Sequence, residues 1–293
     1  MVADSLKLVC IIGPARSGTR IVRDTIGSGR GISRVPYDVN FIWRQGYPAC
    51  KHDALDSSKI SDSSMAQIRH ELEQFHNPAN EWLVEKTVSN ALRIPFVESV
   101  AQPQSYVLVL RNPKDVIESA VRQWTFGSNW TEAIKKLRRY PRNGSISYVW
   151  NYARNSVTRI RSEAPVTWGP IYPGMPQDIE SGMSVLELCI RQWSASLVSS
   201  INGFTSLELR PELVNYEEFC RSPHRFSDLC DRLGLPRPDL ASLARVGEEF
   251  VGRGVRGLDS HSERLIEQEV QGAIARLERS WLSDQVTQVS QTW

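Results

Sequence analysis

Apolar positions along the chain follow two rhythms. Short continuous runs, Leu8 to Ile12, Trp82 to Val84 and Tyr106 to Leu110, are each bounded by Gly, Pro or charged residues. Runs of that length rich in branched residues read as strands buried on both faces, the mark of a parallel sheet. Ile32-Ser33-Arg34-Val35 predicts a further short strand, and Leu207 to Leu209 and Leu213-Val214 lead to the last one. Between these runs the spacing turns helical. Thr19 to Ile26 predicts a helix, as does Ser61 to Phe75 with Met65, Ile68, Leu72 and Phe75 on one face. A helix is expected after Ala91 and another from Pro113, capped by Asn112. Ser184 to Ile201 carries Leu186, Ile190, Trp193 and Leu197, a further helix stops at Gly234-Leu235-Pro236, and Ser262 to Trp281 closes the chain as one amphipathic helix. Strands alternating with helices predict an α/β fold: a central parallel sheet flanked by helices.

From Gln123 to Gly182 the rhythm is lost among Arg and aromatic residues, and Trp168-Gly169-Pro170-Ile171-Tyr172-Pro173-Gly174 is a loop by composition. Residues 127–182 therefore read as a helical and loop insertion, a lid or acceptor-binding region, within a single domain spanning residues 1–293. Aromatics beside Arg serve packing for the most part and ligand contact in a few cases. Hydrophobic content of 41% and charged content of 23% fit a soluble globular protein. A net charge of only +2 argues against a dedicated nucleic-acid or membrane-surface protein and leaves room for a local basic pocket. Five cysteines, widely spaced and without a Cys-x-x-Cys pair, read as free thiols of a reducing compartment and not as a disulfide frame or zinc site. No run is long enough to span a bilayer, and the first strand begins too early for a signal peptide, so a cytoplasmic protein, complete as given, is expected.

The candidate chemistry starts where the first strand ends. Gly13-Pro14-Ala15-Arg16-Ser17-Gly18 places small residues and a helix N-terminus together, an arrangement that receives phosphate. Its spacing matches the front half of the nucleoside-triphosphate P-loop, but Thr19-Arg20 stands where that motif requires Lys and then Ser or Thr. The Lys for the terminal phosphates and the hydroxyl for magnesium are thus missing from their places. A turn that merely links strand to helix reads the same way locally. Asp38, followed by Phe41 and Trp43, stands at the exit of the second strand, a place where an Asp also caps a turn.

Pro14-Ala15-Arg16-Ser17-Gly18-Thr19 resembles the 5′-phosphosulfate loop of the sulfotransferases that use 3′-phosphoadenosine 5′-phosphosulfate (PAPS). Three further segments fit that family in order. Glu85-Lys86-Thr87 resembles its Glu-Lys-Thr/Ser-Pro segment, with Val88 in place of Pro. Arg111-Asn112-Pro113-Lys114-Asp115, with Ser119 eight residues after Arg111, resembles its 3′-phosphate element. Asn215-Tyr216-Glu217-Glu218 resembles the segment whose Tyr lies near the adenine. Gly252-Arg253-Gly254 fits the Lys-Gly-x-x-Gly element, with Arg253 for Lys. The resemblance implies a P-loop-like fold and PAPS as donor, with no metal. It implies that Arg16, Ser17, Gly18, Thr19 and Arg20 hold the 5′-phosphosulfate, that Arg111, Ser119, Tyr216, Arg253 and Gly254 hold the rest of the donor, and that Arg16, Lys86 and Asp38 are catalytic. His52 and Glu85 are the other candidate bases. The implied partner is a carbohydrate or small-molecule hydroxyl acceptor. A P-loop small-molecule kinase and a non-catalytic nucleotide-binding module are the alternatives. Oligomeric state is not legible in the sequence.

Overall fold

A computed structural model describes residues 7–126, 168–252 and 258–293. Arg253, Gly254 and residues 127–167 of the expected insertion lie outside the described residues. Five strands, β1 (Lys7–Ile12), β2 (Ile32–Arg34), β3 (Trp82–Glu85), β4 (Ser105–Leu110) and β5 (Glu212–Asn215), form one sheet in the order β2-β3-β1-β4-β5. Every neighbouring pair is parallel. The register runs Cys10 opposite Glu85 on one side of β1 and opposite Tyr106 on the other.

Side chains alternate across this sheet, and each face has its own core. Leu8, Cys10 and Ile12 share one face with Leu83, Tyr106, Leu108 and Leu110. That face is covered by α3 (Asp62–Glu73), α4 (Ile94–Ala101), α5 (Pro113–Phe126) and the long helix Val185–Ser206. Val9 and Ile11 face the other way with Val84, Val107 and Val109, under α1 (Thr19–Ile26) and the helices Tyr216–Arg221 and Arg225–Leu233. Burial on both faces is why the strand runs are continuously apolar and not alternating. The remaining short helix on the way to the site is α2 (Asn40–Trp43), whose Ile42 and Trp43 are buried.

Local signals place most boundaries. Ser61 caps α3 by accepting from the Ser64 amide, the Asn112 side chain accepts from Lys114 N at 2.9 Å to start α5, and Gly234 ends its helix in the left-handed conformation. Three expectations are corrected. The helix expected to end at Ile201 continues to Ser206, because Phe204 also buries against the core, and Leu207 to Leu209 form its C-cap and the turn after it. The helix expected after Ala91 is preceded by a 3₁₀ turn at Val88–Leu92 and begins at Ile94, with Pro95 in its first turn. The single terminal helix is two, Ser260–Ala275 and Trp281–Ser290. Ser280 opens the second with a reciprocal cap to Ser283, a local competitor that the apolar spacing does not reveal. All five cysteines are free thiols, and no helix among the described residues is long and apolar enough to cross a membrane.

Candidate active site

In a parallel sheet the ligand crevice lies beyond the carboxyl ends of the strands, where neighbouring connections diverge. Here β3 and β4 flank β1, and the turns that leave these three strands meet over one cavity of about 590 Å³. Its walls gather six cations, Arg16, Arg20, Arg23, Lys86, Arg111 and Arg122, against two carboxylates, Asp38 and Asp115. A chain of near-neutral net charge thus concentrates positive charge at one place.

The turn after β1 is shaped by close approaches. A Cβ on Gly13 would come within 2.8 Å of the Val109 carbonyl oxygen, so the loop can pass over β4 only with hydrogen there. Arg16 sits at φ 72° and Gly18 at φ 94°, both left-handed, and Gly18 is the residue from which α1 starts. The ring of Tyr216 lies directly over Gly18: a Cβ would be 2.2 Å from its Cε2. Gly18→Ala therefore combines a left-handed alanine with a ring clash, and a loss of about 2–4 kcal/mol in stability is expected. A urea midpoint equal to that of the wild type would refute this account of the loop. Thr19 and Ser17 are buried; the Ser17 amide donates to the Pro14 carbonyl at 3.1 Å, and its buried Oγ has no hydrogen-bond partner among the described residues. Gly18, Thr19 and Arg20 line the cavity, whereas Ser17 is not among its walls.

Arg16 reaches across to α5, donating from Nε to Ser119 Oγ at 2.9 Å. Arg111, at the exit of β4, donates from Nη1 to the Arg16 carbonyl at 3.2 Å and stacks over the Tyr216 ring at 4.5 Å. The Asn112 amide donates to Glu217 Oε1 at 2.9 Å, which ties the turn after β4 to the exit of β5. Arg16, Arg111, Ser119 and Tyr216, spread over two hundred residues of sequence, therefore form one wall. Burial, and then the neighbouring guanidiniums of Arg111, Arg20 and Arg122, hold Arg16 below the usual arginine range. Like charges packed this closely favour a bound polyanion, which relieves their repulsion.

The opposite wall carries Lys86 and Asp38. Lys86 Nζ donates to both carboxylate oxygens of Asp38, at 2.8 and 2.9 Å, and the Val88 amide donates to Oδ1 at 3.0 Å. The Lys86 side chain is 6% exposed and that of Asp38 36%, so the carboxylate is the more open member. The other two base candidates stand elsewhere. Glu85 is fully buried, accepting from Trp43 Nε1 at 3.3 Å and Asn90 Nδ2 at 3.2 Å, and burial pushes its carboxyl up. His52 lies outside the cavity walls with its Nδ1 3.7 Å from Cys50 Sγ.

Arg122, Gln192 and Asp53 escaped the sequence reading, whereas Trp168 belongs to the loop of the expected insertion. Arg122 lies three residues beyond Ser119 and seven beyond Asp115, so all three share one face of α5; helical spacing from Ser119 would have found it. Trp168 closes one side, its ring 5.9 Å from the Arg16 guanidinium. Its loop is pinned by Gln192, which donates to the carbonyls of Trp168 and Pro170 at 2.9 and 2.8 Å. The buried Asp53 accepts from Asn40 Nδ2, Arg44 Nη1, Ser89 Oγ and the Ile171 amide, all at 2.7–3.0 Å. It thereby joins the segments that follow Asp38 and Lys86 to the Trp168 loop. Burial raises the Asp53 carboxyl, but Arg93 and these hydrogen bonds outweigh it and hold it below the usual carboxylate range. No sequence motif marks this hub. Among the described residues, no group of three or more His, Cys, Asp or Glu is arranged to hold a metal ion.

No family model matches the chain, and no curated protein matches it. Among solved structures the chain is similar to a sulfotransferase from Alicyclobacillus acidocaldarius, at 15% identity, with 92% of this chain and 93% of that one covered and a TM-score of 0.49. It is similar to a sulfotransferase domain from the curacin biosynthetic pathway, at 15% identity over 90% of this chain and 97% of that one, TM-score 0.45. It is also similar to the sulfotransferase domain of a Synechococcus olefin synthase, at 14% identity over 100% of this chain and 96% of that one, TM-score 0.41.

Proposed function

We propose that this protein is a sulfotransferase that moves a sulfuryl group from PAPS to the hydroxyl of a carbohydrate or small-molecule acceptor. The observation that carries the reading is the convergence of the Arg16 loop with Arg111 and Ser119 on one side of a cationic cavity and the Lys86–Asp38 pair on the other. The donor is a polyanion, and the residues present fit it. Gly18, Thr19 and Arg20 offer a backbone cradle and a cation to the 5′-phosphosulfate, next to the buried Ser17 hydroxyl, which has no hydrogen-bond partner among the described residues. Arg111 supplies a planar fork and Ser119 a hydroxyl for the 3′-phosphate, and Tyr216 borders the same wall. When bound, the donor would supply an activated sulfuryl group, and adenosine 3′,5′-bisphosphate would leave as the sulfur–oxygen bond to its 5′-phosphate breaks.

The chain's own residues then do two things. Arg16 and Lys86 place fixed positive charge where negative charge spreads during transfer, a role that costs no reorganisation at the moment of reaction. Asp38 accepts the proton of the attacking hydroxyl. A magnesium-dependent kinase would need the Lys-Ser/Thr pair that Thr19-Arg20 replaces.

Calorimetric titration with adenosine 3′,5′-bisphosphate, ATP, and ATP with magnesium tests the donor, and an acceptor screen with labelled PAPS tests the transfer. The bisphosphate is expected to bind most tightly and to raise the melting temperature with the logarithm of its concentration above the dissociation constant. Transfer is expected to survive excess EDTA. Tightest binding by magnesium ATP, or transfer abolished by EDTA and restored by magnesium, would replace this reading with the kinase.

A further inference from the structure

A buried carboxylate is an unexpected lining for a cavity that gathers six cations. Asp115 is 2% exposed and sits in the first turn of α5, one turn beyond Arg111. An acid at that place favours the helix dipole whatever else it does. Its partners point to more. Arg111 Nη2 donates to Asp115 Oδ2 at 3.4 Å, and the Gly252 amide donates to the same oxygen at 2.9 Å. Among the described residues, Arg111 is thus held by the Arg16 carbonyl, by the face of Tyr216 and by Asp115. A guanidinium recognises phosphate through two parallel N–H groups, so its plane has to be set before the ligand arrives.

We propose that Asp115 is the positioning residue for recognition of the donor's 3′-phosphate. It fixes the plane of Arg111, and the Gly252 amide holds the same carboxylate oxygen in place. The inference rests on the donor reading given above. It makes a prediction of definite sign, because two effects oppose each other. If Asp115 acted only as a charge near the bound anion, neutralising it would tighten binding of the bisphosphate. If it acts through Arg111, neutralising it weakens binding of the bisphosphate and leaves adenosine 5′-monophosphate, which has no 3′-phosphate, unaffected.

The test is calorimetric titration of adenosine 3′,5′-bisphosphate and adenosine 5′-monophosphate into the full chain as wild type, Asp115→Asn, Arg111→Ala and the double variant. Asp115→Asn is expected to bind the bisphosphate roughly tenfold more weakly, with the monophosphate unchanged. In the Arg111→Ala background the same substitution is expected to cost nothing further, since partners that act through one another are not additive. Equal or tighter binding of the bisphosphate by Asp115→Asn, or a tenfold loss that persists without Arg111, overturns the proposal. Should Asp115→Asn fail to fold, Asp115→Glu keeps the charge and displaces the oxygens. Weaker bisphosphate binding by that variant supports positioning, and wild-type binding overturns it. A wild type that does not prefer the bisphosphate to the monophosphate sinks the donor reading together with this one. A wild type with the preference and an Asp115→Asn variant that keeps it sinks only the role of Asp115.

Discussion

Asp38→Asn is expected to lower sulfuryl transfer by about 10²–10⁴-fold, the range that general-base removal costs, while binding of adenosine 3′,5′-bisphosphate stays close to wild type. Asn preserves the shape of the side chain and keeps an oxygen for the Val88 amide, but it cannot take a proton from the acceptor. The substitution also removes the carboxylate that Lys86 contacts through both oxygens. Part of the rate loss is therefore expected to come from a displaced Lys86. Lys86→Ala separates the two contributions: its own loss in transfer measures the cation, and the double variant shows whether the two act as a unit. His52→Ala is the informative control, because His52 lies outside the cavity walls. A damaging His52→Ala with a silent Asp38→Asn would show that the proton leaves by another route.

Arg111→Ala combined with Ser119→Ala is expected to erase the preference for adenosine 3′,5′-bisphosphate over adenosine 5′-monophosphate. A charge-assisted contact from Arg contributes about 1.5–3 kcal/mol and a hydroxyl contact about 0.5–1.5 kcal/mol, which corresponds to a preference of roughly 30-fold to 2,000-fold. The geometry makes the pair answerable to one ligand group. Ser119 and Arg111 lie two helical turns apart on α5 and its entrance, and Arg16 bridges them, bonding Ser119 through its side chain and Arg111 through its carbonyl. The monophosphate, which uses only the Gly18 cradle, is expected to keep its own weak affinity. A double variant that retains the preference would reduce Arg111-Asn112-Pro113 to a helix start.

The two substitutions divide the cavity into halves that meet at Arg16. Burial first, and after it the like charges of Arg111, Arg20 and Arg122, hold its guanidinium below the usual arginine range, so part of that effect is repulsion among the cations. Bound anion removes that repulsion, so donor affinity is expected to fall with added salt more steeply than a single ion pair would require.

The sequence by itself determined the layers and the turn chemistry. Continuous apolar runs such as Leu8 to Ile12 are readable because both faces of a parallel strand are buried, and Gly13, Gly18, Asn112 and Gly234 act within a few residues of themselves. Local resemblance likewise placed Arg16, Lys86, Arg111, Ser119 and Tyr216, all of which line the one cavity. Tertiary structure alone decided what those residues touch. That Lys86 grips Asp38, that Tyr216 covers Gly18, and that Asp115 holds Gly252 depend on the strand order, which brings together residues 48, 198 and 137 positions apart, respectively, only after folding. The same holds for Asp53: its four donors come from three separate segments, so no spacing along the chain announces it. Local hydrogen bonding and burial leave periodic marks in a sequence, whereas contacts between distant strand exits leave none, because their geometry is set by the sheet and not by the chain between them.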